Sequence, residues 1–176
     1  MDAARSPPIL HVPDPRLRLR ARLVTAADAE AVRALAPRML AAMYAAPGIG
    51  LAAPQVGSDL RLVVMDLARE GQPPAPMVLI NPEITAASRE TAIREEGCLS
   101  LPGQYADVER PTRIRARWDT LEGAKREIEA EGLLGVCLQH EVDHLNGVLF
   151  VDHLSPLKRN MLLRKLAKEL KAKPRP

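Results

Sequence analysis

The run His140-Glu141-Val142-Asp143-His144 constrains this chain more than any other five residues in it. On an α-helix, positions four apart stand one above the other, so two imidazoles project from one face toward a common point, with the glutamate beside them. Leu133, Val136 and Cys137 continue that face at helical spacing toward the N-terminus. An apolar stripe is made to be buried, and a histidine pair on it needs a partner to offset its desolvation. A metal ion supplies one. The pattern predicts a helix over residues 131–146 packed inside a domain, with Glu141 at the reach of a metal-bound water.

A buried helix needs a domain to surround it, and 176 residues with 47% apolar content suffice for one and strain to make two. The expectation is a single domain over 1–176, in which the Pro-rich residues 1–8 form a loose extension. Thr25 with Asp28 reads as a helix start, and Val32, Leu35, Met39 and Met43 recur at helical spacing after it. Pro37 should kink that helix, which ends at Ala46-Pro47-Gly48. Gly48-Ile49-Gly50 then opens a segment whose two glycines let it run close to a ligand or another backbone. Residues 60–66, 77–81 and 112–118 read as strands, the last with Ile114, Ala116 and Trp118 alternating against arginines. After the metal helix come a short apolar strand over 148–151 and a last helix from about Ser155. Helices and strands in this order favour α+β over repeated βαβ units.

The net charge of +3 is unevenly spread: residues 155–176 hold eight Lys/Arg against one acid. Leu157, Met161, Leu162, Leu166 and Leu170 would form the apolar face of this basic helix, with Lys158, Arg159, Arg164, Lys165, Lys168 and Lys171 opposite. It reads either as a solvated helix packed on the domain or as an electrostatic contact for ribosomal RNA. No run approaches the roughly 18 apolar residues of a membrane span, and the N-terminus lacks an apolar signal core. A soluble, cytoplasmic protein with no membrane or DNA partner is expected. Two cysteines, Cys98 and Cys137, are too few for a disulfide scaffold, so free thiols are expected.

A third ligand decides what kind of site this is. Phe150 stands where a third histidine of an HExxHxxGxxH site would be, and Glu169 is the acid far enough along to serve as a downstream carboxylate ligand. Glu169 sits among the charges of the basic helix and reads as one of them. Cys98, in Glu95-Glu96-Gly97-Cys98-Leu99-Ser100, offers a thiolate suited to zinc or ferrous iron, and a His₂Cys set leaves a fourth position open. Cys137 competes for the role, although on the helix stripe it reads better as a small buried hydrophobe.

Three segments resemble the peptide deformylases: Gly48-Ile49-Gly50-Leu51-Ala52-Ala53-Pro54-Gln55, Glu96-Gly97-Cys98-Leu99-Ser100 and Gln139-His140-Glu141-Val142-Asp143-His144-Leu145. The similarity extends over roughly residues 9–170. It departs at about six extra N-terminal residues and at Tyr105, where some members carry an arginine. The resemblance implies an α+β fold with mixed or antiparallel sheet around the metal helix, flanked by an N-terminal and a C-terminal helix. It implies Cys98, His140 and His144 as ligands of a ferrous ion, with Zn²⁺, Ni²⁺ or Co²⁺ possible in purified samples. It also implies removal of the formyl group from N-formylmethionyl nascent chains. Glu141 would move the proton, and the Gln55 amide and Leu99 N–H would stabilise the oxyanion. Ile49, Gly50 and Gly97 would meet the substrate backbone, and Leu133, Val136, Cys137 and Ile49 would line a methionine pocket. Another metal amidase or metalloprotease would share the ligands but not the substrate. A non-enzymatic metal or ribosome-binding protein would have little use for Glu141 and Gln55.

Overall fold

The computed structural model describes residues 6–172, so the first five residues of the expected loose extension and the last four of the basic tail lie outside it; residues 6–8 have no regular structure. Thr25 donates from its N–H and hydroxyl to the Asp28 carboxylate at 2.8 and 3.0 Å, and the turn 26–28 leads into α1 (Ala29–Ala45). The helix runs through Pro37 without interruption. Loss of one backbone bond is tolerated because Val32, Ala36, Met39 and Met43 are buried along one face.

The chain then forms β1 (Gly50–Ala52), β2 (Leu62–Met65), β3 (Met77–Ala87), β4 (Thr91–Cys98), β5 (Leu101–Pro111), β6 (Arg113–Asp119) and β7 (Lys125–Glu131). Five strands make one sheet in the order β1-β2-β3-β6-β7, and β4 pairs only with β5; every one of these pairings is antiparallel. β2 is apolar at every position because the sheet there is covered on both sides. Leu62 and Val64 face α1, while Val63 and Met65 join the core under α2 (Gly132–Leu145). Ile114, Ala116 and Trp118 point into that same core, as their alternation predicts, and Arg115 and Arg117 pair outside with Glu129 and Glu83. The metal helix therefore lies across the five-stranded sheet, one residue shorter at each end than the predicted span.

Four strands, β1, β4, β5 and β7, are not signalled by apolar periodicity, and β3 runs six residues beyond its predicted end. The predicted strand over 148–151 is corrected to a 3-10 turn, Phe150–His153. Asp152 accepts from the Leu149 N–H at 2.9 Å and closes the turn. Leu149, Phe150 and Val151 are buried against β5 and the last helix rather than paired in a ladder.

That helix, α3 (Pro156–Ala172), buries only part of the expected face, its later positions. Leu157 and Met161 are exposed, while Leu166 is buried and Leu162, Leu163 and Leu170 pack around it. Glu169, expected to be a solvated charge, accepts from the side-chain amide of buried Gln104 at 2.6 Å, a bond that ties the helix to β5. No helix among the described residues is long and apolar enough to cross a membrane. Replacing Glu169 with Ala strands the Gln104 amide. It is expected to lower unfolding free energy by about 1–3 kcal/mol and to raise amide exchange in α3, as read by urea titration and hydrogen exchange.

Candidate metal centre and its cleft

The helical spacing of α2 places the Nε2 atoms of His140 and His144 at 3.2 Å from one another. Cys98 reaches them from the other sheet. The β4–β5 register breaks after Gly97, where the pairing jumps from Gly97–Tyr105 to Cys98–Leu101 around the turn at Leu99 and Ser100. The Cys98 Sγ thereby lies 3.2 Å from His144 Nε2, and one donor atom from each of the three residues falls within 4.8 Å of the others. Donors bound tetrahedrally to one zinc-like ion at about 2.0–2.3 Å stand roughly 3.3–3.8 Å apart. Two imidazoles and a thiol gathered this closely fit a divalent metal.

Cys137, the competing thiol, is not in this cluster. Burial, then the Glu141 and Glu96 charges, push its thiol well above the ordinary value, so it stays protonated. His144 is fully enclosed, and burial holds its imidazole neutral, the form that binds metal. Its Nδ1 has no partner among the described residues.

Glu141 is buried beside the cluster, and that burial raises its carboxyl to about 7. One of its oxygens, Oε2, has no hydrogen-bond partner among the described residues. The other lies against Gly50: a Cβ there would sit 2.5 Å from Glu141 Oε1 and 2.9 Å from Cys137 Sγ. The close approach expected of the Gly48-Ile49-Gly50 segment is thus made to α2 itself. Gly48 does the same for the Leu99 side chain, which a Cβ would meet at 2.6 Å.

Gln55 is buried in the 3-10 turn Ala53–Val56. Its Oε1 accepts from the Ala52 N–H at 2.9 Å, which orients the amide so that Nε2 points at Ser100 Oγ (3.1 Å) and Cys98 Sγ (3.6 Å). A cleft of about 790 Å³ opens over these groups and is lined by Ile49, Gly50, Gln55, Gly97, Leu99, Val136, Cys137 and Glu141. Leu133 lies on its rim with 53% exposure and Val136 is half-buried, so the buried part of the stripe ends at Cys137. Tyr105 also lines the cleft, its ring over the Gly97 backbone. The structure brings every residue singled out for the site into this cleft except His144, which stands behind His140.

What spacing along the chain did not reveal is the support behind the histidines. Glu96, inside one of the quoted motifs but without a role there, accepts from His140 Nδ1 at 3.0 Å and from Arg110 at 2.5 and 3.0 Å. Burial works against its charge, yet the bonds from His140 and Arg110 prevail and hold it at about 2. Arg110 also donates to Asp143 at 2.9 Å, and Asp143 meets His153 at 2.8 Å. Phe150 stacks on the His140 ring at 6.2 Å.

Residues 6–160 match the family described as polypeptide deformylase. A peptide deformylase of Mesorhizobium japonicum is 53% identical over 166 residues, spanning 94% of this chain and 94% of that protein. This chain belongs to the polypeptide deformylase family. One from Phenylobacterium zucineum is 54% identical over 93% of the chain and 96% of its own length. Among solved structures, a peptide deformylase of Legionella pneumophila superposes with a TM-score of 0.87 at 46% identity, covering 96% of this chain and 99% of that one. The Ehrlichia chaffeensis enzyme in complex with actinonin gives 0.86 at 40%, covering 94% and 98%. These relatives share the α+β fold, with its antiparallel sheets and three helices.

The buried Glu96–Arg110 pair makes a sharp prediction. Arg110→Met leaves the Glu96 carboxylate uncompensated. It should cost about 3–5 kcal/mol of stability and weaken metal binding by about 10–100-fold, measured by urea unfolding and chelator competition.

Proposed function

We propose that this chain is a metal-dependent hydrolase that removes the formyl group from the N-terminal formylmethionine of newly made polypeptides and releases formate. The observation that carries the reading is the convergence of Cys98, His140 and His144 beside a buried Glu141 whose Oε2 has no partner among the described residues. Family membership narrows the general chemistry of such a site to this substrate.

A divalent ion held by Cys98, His140 and His144 would supply Lewis acidity and lower the pKa of water at the site. Glu141 takes the proton of the attacking water and returns it to the departing amine nitrogen, so that water and formamide leave as formate and a free amine. Burial brings its carboxyl near neutrality, which suits a group that must both accept and give a proton. The Gln55 amide, aimed toward Cys98 by its bond to Ala52, and the Leu99 N–H stabilise the negative charge that develops on the formyl oxygen. The methionine side chain rests on Val136 and Cys137 between Ile49 and Leu133, and the peptide backbone runs between the segments at Ile49-Gly50 and Gly97. We further propose that the described elements work as one catalytic domain, acting in the cytoplasm where nascent chains are made.

The test compares formyl-Met and acetyl-Met peptides. Wild-type protein should hydrolyse the first and be nearly inert to the second, and Glu141→Ala should retain metal while losing turnover; an active Glu141→Ala protein defeats the assignment. Family resemblance favours Fe²⁺ in the working enzyme, and the donor set suits it. Protein purified without oxygen is then expected to contain iron and to lose activity in air, whereas equal rates for air-exposed, zinc-loaded protein would refute the choice. On α3, Arg164, Lys168 and Lys171 lie exposed opposite the buried leucines and Lys158 is exposed at the first turn, which supports a contact with ribosomal RNA. Reversing Lys158, Arg164 and Lys168 to Glu should abolish salt-sensitive cosedimentation with ribosomes; unchanged cosedimentation would reject the contact.

A further inference from the structure

A second groove, of about 550 Å³, lies on another face of α2, between residues 20–23, residues 81–84 and the C-terminal turn of the helix. Arg20 and Arg61 both line it. Arg61 uses Nη1 to donate to the Leu145 carbonyl at 3.1 Å and to Asn146 Oδ1 at 3.0 Å. Neither acceptor carries a full charge, so these bonds fix the guanidinium in place and offset its charge only in part, through the carbonyl end of α2. Nε and Nη2 of Arg61 have no hydrogen-bond partner among the described residues, and Arg20, which is exposed, has no acid partner among them. Burial and then the Arg20 charge push the Arg61 guanidinium below its ordinary value, with Glu83 acting the other way.

Two acids line the same groove, and each is engaged elsewhere. Glu83 accepts from Arg117 at 2.8 and 3.0 Å, and Asp143 accepts from Arg110 at 2.9 Å and meets His153 at 2.8 Å. The Asn81 amide is likewise committed, bonding both the N–H and the carbonyl of Val24. Like charges held near one another in a partly desolvated space repel unless an anion enters, and guanidinium forks match the oxygens of oxyanions.

We propose that this groove is an oxyanion site that takes a phosphate group, with Arg20 and Arg61 as its cationic walls and the Asn146 amide nitrogen as a neutral donor. A phosphate dianion matches two guanidiniums, whereas a carboxylate matches one. The phosphate comes either from a small free phosphate or from the backbone of an RNA.

The experiment titrates the metal-loaded protein in chloride buffer at fixed ionic strength, with inorganic phosphate in one arm and a short single-stranded RNA in the other. Binding is followed by calorimetry and by amide shifts. Saturable phosphate binding is expected, with shifts at Arg20, Arg61 and Asn146. Arg20→Ala, a surface change that leaves the fold intact, should weaken it by about tenfold or more, and Arg61→Lys comparably. Arg89→Ala, an exposed arginine outside the groove, should leave it unaltered. RNA binding that is tighter and equally sensitive to Arg20→Ala assigns the phosphate to a nucleic-acid backbone. Phosphate binding with no gain for RNA assigns a small free phosphate. If neither probe saturates, or if Arg20→Ala leaves the affinity of both unchanged, the proposal is wrong.

Discussion

The Glu96 carboxylate, buried between the His140 imidazole and the Arg110 guanidinium, ties the molecule together. It comes from β4, its cationic partner from β5 and its histidine from α2, so one anion joins the hairpin to the metal helix. A lone carboxylate could not stay charged in that position. Held between two donors it does, and in return it fixes the orientation of His140 and the tautomer whose Nε2 faces Cys98 and His144. Asp143 extends the same set of bonds to His153 at the surface, so α2 is braced from behind at two positions nearly a turn apart.

That arrangement explains which parts of the structure are legible in the sequence. The α2 stripe, the alternation of Ile114, Ala116 and Trp118, and the α1 positions Val32, Met39 and Met43 all announce themselves. Each is an apolar residue repeated at the period of its own element, against a neighbour that covers one face. β7 does not, because its register is held by cross-strand pairs such as Arg115 with Glu129, which in sequence resemble a solvated run. β4 and β5 stay hidden for a related reason: their buried positions include Glu96, Gln104 and Arg110, polar residues that are satisfied only by distant partners. On α3, Leu157 and Met161 are as apolar as Leu166, yet they stay exposed because the surface that covers Leu166, built from β5 and the 3-10 turn, does not extend to them.

The site follows the same division. Cys98, His140, His144 and Glu141 are marked by residue chemistry and by motif, whereas Glu96, Arg110 and His153 act through contacts between residues far apart in the chain. Close packing adds a further limit that sequence spacing does not express. Gly50 allows β1 to come so near α2 that Glu141 Oε1 and Cys137 Sγ occupy the room a side chain would need. The glycine therefore sets the position of the glutamate as well as the path of its own strand.

The break in register at Gly97 and Cys98 places one donor on the hairpin and two on the helix. An ion that takes all three donors is a covalent-like staple between the two parts of the fold. It encloses roughly forty residues of chain, for which the loop-closure entropy of a comparable disulfide is worth about 4 kcal/mol. Metal occupancy would then govern mechanical integrity as much as chemistry: the hairpin that forms one wall of the cleft would be pinned to the opposite wall with the staple in place, and held by Glu96 and ordinary packing without it.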